Sequence, residues 1–275
     1  MDDSFVNPPS DRTEYFGIRR TSNDSDDFNK TKLKPHLKKQ WCIPAKASSE
    51  FVARMEDVLE TYALPYDPEI PLICMDEQPI QLLDHSRPPQ KMKSGQILRE
   101  DYEYVRKGSC CLFLFTEPLA GLRHVQASER RTKSDWALQI QELLKVHYPE
   151  AKRVRLVMDN LNTHTISSLY ENFAPELALA KRLEIHYTPK HGSWLNMAEI
   201  ELSAMTIQYL NRRITSIEEL QGELSSWETE RNQIQKSIDW QFTTEQARGK
   251  LKHLHPVIYT GQGTRLIPAE ISCAE

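Results

Sequence analysis

The sequence predicts an α/β fold in which helices flank both faces of a mixed β-sheet. Short apolar runs at residues 71–76 and 154–159 have the length and composition of buried strands, and residues 183–187 read as a third inner strand. β-rich stretches with glycine turns lie between the first two runs, and amphipathic helices lie among the later ones. Because strands that alternate with helices pack as a sheet covered on both sides, this order favours the α/β class.

The elements can be assigned in chain order. Ser49 is expected to cap the first helix, whose apolar residues recur at helical spacing. Residues 84–100 read as a loop, and turns near Gly108 and Gly121 predict that the β-rich stretches around them are antiparallel neighbours. Strands are expected at residues 71–76, 102–105, 110–115, 123–127, 154–159 and 183–187. One helix is expected to follow Ser49 and to include Phe51 to Tyr62, and others are expected at about residues 134–147, 195–210, 217–233 and 244–254.

Composition excludes several classes of protein. No apolar run approaches the roughly 20 residues of a membrane span, and the first residues do not form a signal peptide. The five cysteines have no paired spacing, which predicts that the protein works in a reducing cytosol and argues against a zinc site. The chain has no Gly-x-Gly-x-x-Gly motif after a strand and no phosphate-binding loop, so a nucleotide-binding fold is not expected.

Charge and composition divide the chain into four segments. Residues 1–30 are acidic and rich in Asp, Asn, Ser and Pro, and we predict that they are disordered or poorly ordered. Residues 31–70 contain a basic linker and a helix, residues 71–235 the main domain, and residues 236–275 a C-terminal helix and tail. The net charge of −4 is carried by residues 1–27, so residues 28–275 sum to zero.

A lysine cluster follows the acidic segment. No acidic residue interrupts it, and such a cluster can bind phosphates by releasing counterions. A solvated linker explains a run this short equally well. The cluster consists of Lys30, Lys32, Lys34, Lys38 and Lys39.

Two aspartates follow matching apolar strands. Asp76 ends the run Ile73-Cys-Met-Asp, and Asp159 ends the run Leu156-Val-Met-Asp. If the strands are parallel neighbours, both carboxylates emerge at one edge, where they repel unless a cation lies between them. Such oxygen ligands suit Mg²⁺ or Mn²⁺. The alternative is that each Asp is a turn former or a helix cap, and spacing alone leaves both interpretations open.

A glutamate near the start of a later helix is the third candidate. Glu199 follows the loop Pro189-Lys-His-Gly that leads from the last inner strand. Asn196 and Glu199 could instead form a capping box, which would give Glu199 a local structural task. Helical geometry does not decide between Glu199 and Glu201, because the two flank the predicted apolar stripe on opposite sides.

Two longer motifs resemble the catalytic core of a known family. They are Val157-Met-Asp-Asn-Leu-Asn-Thr-His164 and His186-Tyr-Thr-Pro-Lys-His-Gly-Ser-Trp-Leu-Asn-Met-Ala-Glu199. Both resemble motifs of the six-thirty insertion-sequence transposases, which are bacterial relatives of the mariner elements. The resemblance extends from about Lys34 to about Leu254, which is most of the chain.

This resemblance implies a ribonuclease-H-like fold with a DDE endonuclease site formed by Asp76, Asp159 and Glu199. It implies a cofactor of Mg²⁺ or Mn²⁺, in two ions, and a DNA partner that comprises transposon ends and a TA target. Asn160, His164 and His191 match family positions near the site, and we expect them to support the metal ligands. Lys34, Lys38 and Lys39 are the expected DNA-binding residues.

The expected setting is the bacterial cytoplasm, near the nucleoid, for a chain that can form a homodimer. Neither a membrane nor a small-molecule cofactor is expected. The leading hypothesis is metal-dependent DNA cleavage and strand transfer by 3′-hydroxyl attack. One alternative is a catalytically silent remnant that acts as a DNA-binding or oligomerising module, and another is a ribonuclease H-type hydrolase.

The sequence also departs from the family pattern. Gln78 stands where Thr is usual, and Cys111 stands where Asn is expected. Residues 1–30 do not resemble the helix-turn-helix region that recognises the element's ends. We therefore expect an N-terminally truncated or frameshifted copy with weak, sequence-independent DNA binding.

Overall fold

The computed structural model describes residues 43–44, 46–161, 164–175, 179–256, 258–259 and 265–266. The predicted acidic segment 1–30 and the candidate DNA-binding residues Lys34, Lys38 and Lys39 lie outside these residues. None of the helices in the described ranges combines the length and the apolar character needed to cross a membrane.

A five-stranded mixed sheet forms the centre of the fold. Its strand order is β3-β2-β1-β4-β5, in which β1, β2 and β3 pair antiparallel while β1, β4 and β5 pair parallel. The predicted mixed sheet is therefore confirmed. Its strands are β1 Leu72–His85, β2 Tyr104–Glu117, β3 Leu122–Ser128, β4 Val154–Met158 and β5 Leu183–Tyr187. Two short strands, β6 Ile258–Tyr259 and β7 Arg265–Leu266, pair separately.

Helices cover both faces of the sheet. On one face α1, α4 and α5 pack on Cys74, Leu112 and Leu114, and on the other face α2 and α3 pack on Ile73, Met75 and Phe113. Successive side chains of a strand point to opposite faces, so β1 and β2 each contribute to both cores. The helices are α1 Ser49–Tyr62, α2 Lys133–Glu142, α3 Ile166–Asn172, α4 Ala198–Gln208, α5 Ile217–Ile234 and α6 Thr244–Lys250.

Shorter helical turns join these elements. A π-helical turn spans Leu143–His147 directly after α2, and 3₁₀ turns span Leu179–Arg182, Ser193–Leu195 and Lys252–Leu254. The predicted helix at 134–147 is thus an α-helix that widens into a π-turn at its end. The first helix is capped by Ser48, whose Oγ accepts from the N–H of Phe51 at 3.2 Å, and not by Ser49 as the sequence suggested.

The first strand is much longer than its apolar run predicts. It continues from Asp76 to His85, because its antiparallel pairing with β2 extends that far while its parallel pairing with β4 stops near Cys74. The two predicted strands at 102–105 and 110–115 are one strand, β2. The predicted turn at Gly108 is an irregularity in the register, opposite Leu82 and Leu83. Cross-strand pairing here overrides the local turn signal.

The open edge of the sheet is covered by side chains of α5. Asn232 accepts from the N–H of Arg123 at 2.7 Å, and Glu228 accepts from the N–H of Val125 at 3.0 Å. Gln221 accepts from the N–H of Ala127 at 2.9 Å. These contacts satisfy backbone donors of β3 that would otherwise be free to pair with another strand.

Candidate active site

Asp76 and Asp159 occupy matching positions of two parallel strands. The register pairs Leu72 with Arg155 and Cys74 with Val157, and the same offset of 83 residues relates Asp76 to Asp159. Asp159 directly follows the end of β4, and Asp76 lies just past the last parallel pair of β1. Both aspartates therefore lie at one edge of the parallel part of the sheet, where functional groups of α/β folds collect.

The carboxyl group of Asp76 lies in an electrostatically unfavourable place. Burial, opposed by the hydrogen bond from the Glu77 N–H and reinforced by the charges of Glu199, Asp159 and Glu77, raises the pKa of Asp76 to about 7. That N–H donates to Oδ1 of Asp76 at 2.8 Å. The three acids named from the sequence thus interact through space at Asp76. A carboxylate whose pKa is raised in this way is stabilised by binding either a proton or a cation.

Asn196 links the start of α4 to β1. Its Nδ2 donates to the backbone oxygen of Met75 at 2.8 Å, and its Oδ1 accepts from the N–H of Ala198 at 3.1 Å. The side chain is 2% exposed, so both bonds are shielded from water. Because Met75 precedes Asp76, this single amide fixes the first turn of α4, and with it Glu199, beside the aspartate.

The capping box that the sequence allowed does not form. The N–H of Asn196 donates to the carbonyl of Ser193 at 2.7 Å, and not to the carboxylate of Glu199 as a capping box requires. Within the described ranges, the Glu199 side chain has no hydrogen bond or ion pair, and it is half-buried. Glu199 is therefore available as a ligand, which a capping role would have prevented.

Glu201 has a different environment. Its carboxylate lies 2.6 Å from Nη2 of Arg123 and 2.9 Å from Nη2 of Arg231, and the side chain is 1% exposed. A buried carboxylate held by two guanidinium groups has a structural role, because its removal would leave two positive charges without a counter-ion. The structure therefore distinguishes Glu201 from Glu199, which helical geometry alone could not do.

His164 connects Asp159 to a further acid. Its Nδ1 lies 2.8 Å from Oδ1 of Asp159 and its Nε2 lies 2.7 Å from Oε1 of Glu77. The imidazole is fully buried and stacks on Trp136 with ring centroids 5.9 Å apart. Burial lowers its pKa, but hydrogen bonds to Asp159 and Glu77 outweigh this and raise the pKa to about 9. A protonated His164 therefore orients Asp159.

Sequence reasoning missed Glu77. Its side chain is 2% exposed, and its Oε2 lies 3.9 Å from Nη1 of Arg131. Alternation along β1 places it on the opposite face from Asp76. The adjacent pair Asp76-Glu77 was the available signal, but only the fold shows that Glu77 contacts His164.

The side chains of Asn160 and His191 take no part in these contacts. Both are exposed, and neither side chain forms a hydrogen bond or ion pair with another residue of the described ranges. His191 adopts a left-handed φ of 65° in the turn closed by the Gly192 N–H and the Pro189 carbonyl. Of the three residues expected to support the ligands, the structure brings only His164 into contact with one of them, Asp159.

The donor chemistry of the three acids fits hard divalent cations. Carboxylate oxygens are the ligands that Mg²⁺ and Mn²⁺ prefer. Among the described residues, no choice of one carboxylate oxygen from each of Asp76, Asp159 and Glu199 brings all three oxygens within 4.8 Å of one another.

Comparison with known proteins places the chain in a family. Residues 71–221 match the DDE superfamily endonuclease family, which is more than half of the chain. No curated protein sequence matches the chain.

Solved structures share the fold. The Mos1 strand transfer complex has a TM-score of 0.51 at 14% identity, with 84% of this chain and 68% of that chain covered. The Mos1 transposase paired-end complex with the left transposon end has a TM-score of 0.50 at 16% identity, with 84% and 66% covered. A Mos1 mariner paired end complex with Mn has a TM-score of 0.49 at 16% identity, with 84% and 69% covered. The chain thus spans about two thirds of these proteins.

The likeness confirms the ribonuclease-H-like fold class that the sequence predicted. The family match extends over all five strands of the main sheet and reaches into α5. The chain belongs to the DDE superfamily endonuclease family.

Proposed function

We propose that this chain is the catalytic part of a cut-and-paste transposase, in which Asp76, Asp159 and Glu199 bind divalent metal ions. The observation that carries the proposal is the environment of Asp76. Its pKa of about 7 reflects burial together with the charges of Glu199 and Asp159. Acids that destabilise one another in this way favour a bound cation, and family membership makes the reaction an endonuclease reaction.

Each acid is held by a different element. Asp76 lies on β1, Asp159 directly follows β4, and Glu199 lies in the first turn of α4. Two ions bound between them would be Mg²⁺ or Mn²⁺ and would activate a water and stabilise the leaving oxygen of a phosphodiester. The chain's own contribution is to hold the three carboxylates rigidly and to keep Asp159 oriented through His164. No side-chain nucleophile is needed.

The same arrangement serves both steps of transposition. Water attacks a phosphodiester of DNA and releases a 3′-hydroxyl, and that hydroxyl can then attack a phosphodiester of target DNA in place of water. In each step one P–O bond forms as another breaks, so the site needs no additional reactant. The Mos1 relatives were solved with a transposon end and as a strand transfer complex, which supports transposon-end DNA as the partner.

Further parts of the proposal rest on the family resemblance. They are membership of the six-thirty insertion-sequence group, a TA target, a homodimer and a location near the bacterial nucleoid. Asn160 and His191 would then act only once DNA is bound, since neither contacts the acids in the structure. Lys34, Lys38 and Lys39 would contact DNA phosphates, and residues 71–235 would be the catalytic domain between a basic linker and a C-terminal tail.

A nicking assay on supercoiled plasmid tests the proposal. The full chain is incubated with Mg²⁺, Mn²⁺, Ca²⁺ or EDTA, and nicked and linear products are quantified. We expect cleavage with Mg²⁺ and Mn²⁺, none with EDTA, and none for Asp159→Asn. Activity in EDTA, or equal activity in Asp159→Asn, would overturn the proposal. Absence of activity from the wild-type chain with every metal would support the silent-remnant alternative, and preference for an RNA–DNA hybrid would support a ribonuclease H-type hydrolase.

A further inference from the structure

A second group of metal-binding side chains lies at the π-turn after α2. The turn spans Leu143–His147 and includes a bond of 2.9 Å from the Tyr148 N–H to the Leu143 carbonyl, five residues earlier. In an α-helix, residues five apart differ by about 140° around the axis. The wider π-turn reduces that angle and brings Glu142 and His147 toward the same side. Such turns occur often at functional sites.

His124 of β3 completes the group. One ligand atom from each of His124, Glu142 and His147 lies within 4.8 Å of the others. The two imidazole rings are tilted against each other with centroids 3.9 Å apart. Residues from a strand and from a helical turn thus converge at one point, although 23 residues separate the two histidines in the sequence.

The hydrogen bonds of His124 resemble those of a metal-bound histidine. Its Nδ1 lies 3.4 Å from Oε1 of Glu228, while its Nε2 is buried and has no hydrogen-bond partner within the described ranges. Histidines that bind metals commonly donate the other ring N–H to a carboxylate, which fixes the tautomer and leaves a lone pair for the ion. A buried ring nitrogen without a partner otherwise costs free energy.

The other two side chains have no partner that competes with a metal ion. Neither Glu142 nor His147 forms a side-chain hydrogen bond or ion pair within the part of the chain that the structure describes.

We propose that His124, Glu142 and His147 form a second metal site that binds a transition-metal ion of the Zn²⁺ class. Two imidazoles and one carboxylate are a ligand set that Zn²⁺ accepts, with a fourth position for water. Imidazole also selects this class against Mg²⁺, which prefers oxygen ligands. His147 is exposed, so the ion can enter from solvent and keep a water ligand.

This site is separate from the acidic triad. His124 pairs with Phe115, which pairs with Met75, and the side chains of Phe115 and Met75 lie in the core under α2. Asp76 follows Met75 and therefore points to the opposite face of the sheet. The proposal consequently does not depend on the proposed function. A bound ion would join the edge strand β3 to the end of α2, with Glu228 of α5 behind His124.

Zinc titration of the full chain tests the site. The background is Asp76→Asn/Glu199→Gln, so that the triad does not contribute to binding, and Zn²⁺ affinity is measured by calorimetry. We expect one site, which His147→Ala weakens at least tenfold. His253→Ala is the matched control, because His253 is also exposed on a helical turn and lies outside the group. We expect no change in affinity for that control.

Two further measurements make the outcome independent of folding defects. Co²⁺ in place of Zn²⁺ should give a visible absorption band that disappears in His147→Ala and in Glu142→Gln but not in His253→Ala. Glu228→Gln should weaken binding about 10–100-fold, because it supports the His124 ring. Wild-type affinity in both His147→Ala and Glu142→Gln, or equal loss in His253→Ala, would overturn the proposal.

Discussion

The carboxylate of Glu201 lies 2.6 Å from Nη2 of Arg123, and both side chains are 1% exposed. Two residues earlier, Glu199 is half-buried and its side chain is free of hydrogen bonds within the described ranges. One helix therefore presents two glutamates in different environments. The buried one joins α4 to β3 and α5, and the charge of the other helps to raise the pKa of Asp76.

Substitution of each glutamate should distinguish the role of Glu199 from that of Glu201. Glu199→Gln is expected to remove cleavage and to leave stability nearly unchanged, because it removes a carboxylate charge near Asp76 without breaking a contact. Glu201→Gln is expected to destabilise the fold by about 3 kcal/mol or more, because it leaves the buried guanidinium of Arg123 and the partly buried one of Arg231 with a weaker partner. Urea unfolding and plasmid nicking at low temperature measure both effects. Full activity in Glu199→Gln would contradict the assignment.

Asp159→Asn is expected to abolish cleavage without unfolding the domain. The amide oxygen can still accept from Nδ1 of His164, which lies 2.8 Å from Oδ1 of Asp159. Removing one of several clustered negative charges also relieves repulsion at Asp76. We expect the free energy of unfolding to change by no more than about 1–2 kcal/mol, the scale of one charged hydrogen bond. A larger loss in thermal melts would mean that Asp159 is mainly structural.

The stability of the metal-free protein should depend on pH through Asp76. Folding raises the pKa of Asp76 from 3.8 to about 7, so the folded state favours the protonated acid. The resulting stability is fully present below pH 3.8 and is lost as the pH rises through 7. Asp76→Asn removes this dependence. In EDTA at pH 8 we expect the free energy of unfolding of the variant to exceed that of the wild type by roughly 1–3 kcal/mol. At pH 5 this difference in the free energy of unfolding should be smaller.

Added Mg²⁺ provides the control for that experiment. It should stabilise the wild-type chain at pH 8 and have little effect on Asp76→Asn, since the variant lacks one ligand. An Asp76→Asn variant that is less stable than wild type in EDTA at pH 8 would show that the carboxylate makes a favourable contact in the fold.

His164→Ala tests whether the imidazole positions Asp159. Loss of a group that holds a metal ligand typically costs about 10–100-fold in metal affinity or activity. We expect a rise of that size in the Mn²⁺ concentration needed for cleavage. Excess Mn²⁺ should restore part of the rate, which a general loss of folded protein would not allow.

His186→Ala is the matched control, since His186 also contacts two carboxylates, Asp57 and Glu184. Its substitution should leave the Mn²⁺ requirement unchanged. An unchanged requirement in His164→Ala would limit that residue to a structural role.

Apolar runs and their order were sufficient to predict the architecture. The parallel strands β4 and β5 begin and end within one residue of the segments that predicted them. For β4 the reason is that a buried parallel strand is largely apolar. The aspartates could be located for the same reason, since each follows the apolar run of its strand.

Other features depend on long-range contacts that the sequence does not display. The extension of β1 to His85 depends on pairing with β2, whose residues lie about 30 positions later. The contact of Glu77 with His164 joins residues 87 positions apart, and the pairing of Glu201 with Arg123 joins residues 78 apart. The cysteine spacing gave no indication of a transition-metal site, because the proposed ligands are histidines and a glutamate from different elements.

The lysine cluster before the first helix should determine how DNA binding responds to salt. Lys34, Lys38 and Lys39 belong to a run without acidic residues, and lysine–phosphate pairing carries no sequence information. We expect weak binding of the full chain to any duplex, with affinity that falls steeply as salt rises. Replacing the three lysines by Gln should reduce the slope of log K against log salt by about 2.7, which is roughly 0.9 for each phosphate that is no longer neutralised.

The control replaces three exposed lysines of the described ranges, Lys145, Lys181 and Lys252, by Gln and changes the net charge equally. Fluorescence anisotropy over a range of salt concentrations measures both slopes. Equal slopes in the two variants would show that net charge alone sets the response, and tight, salt-resistant binding to one sequence would refute the prediction.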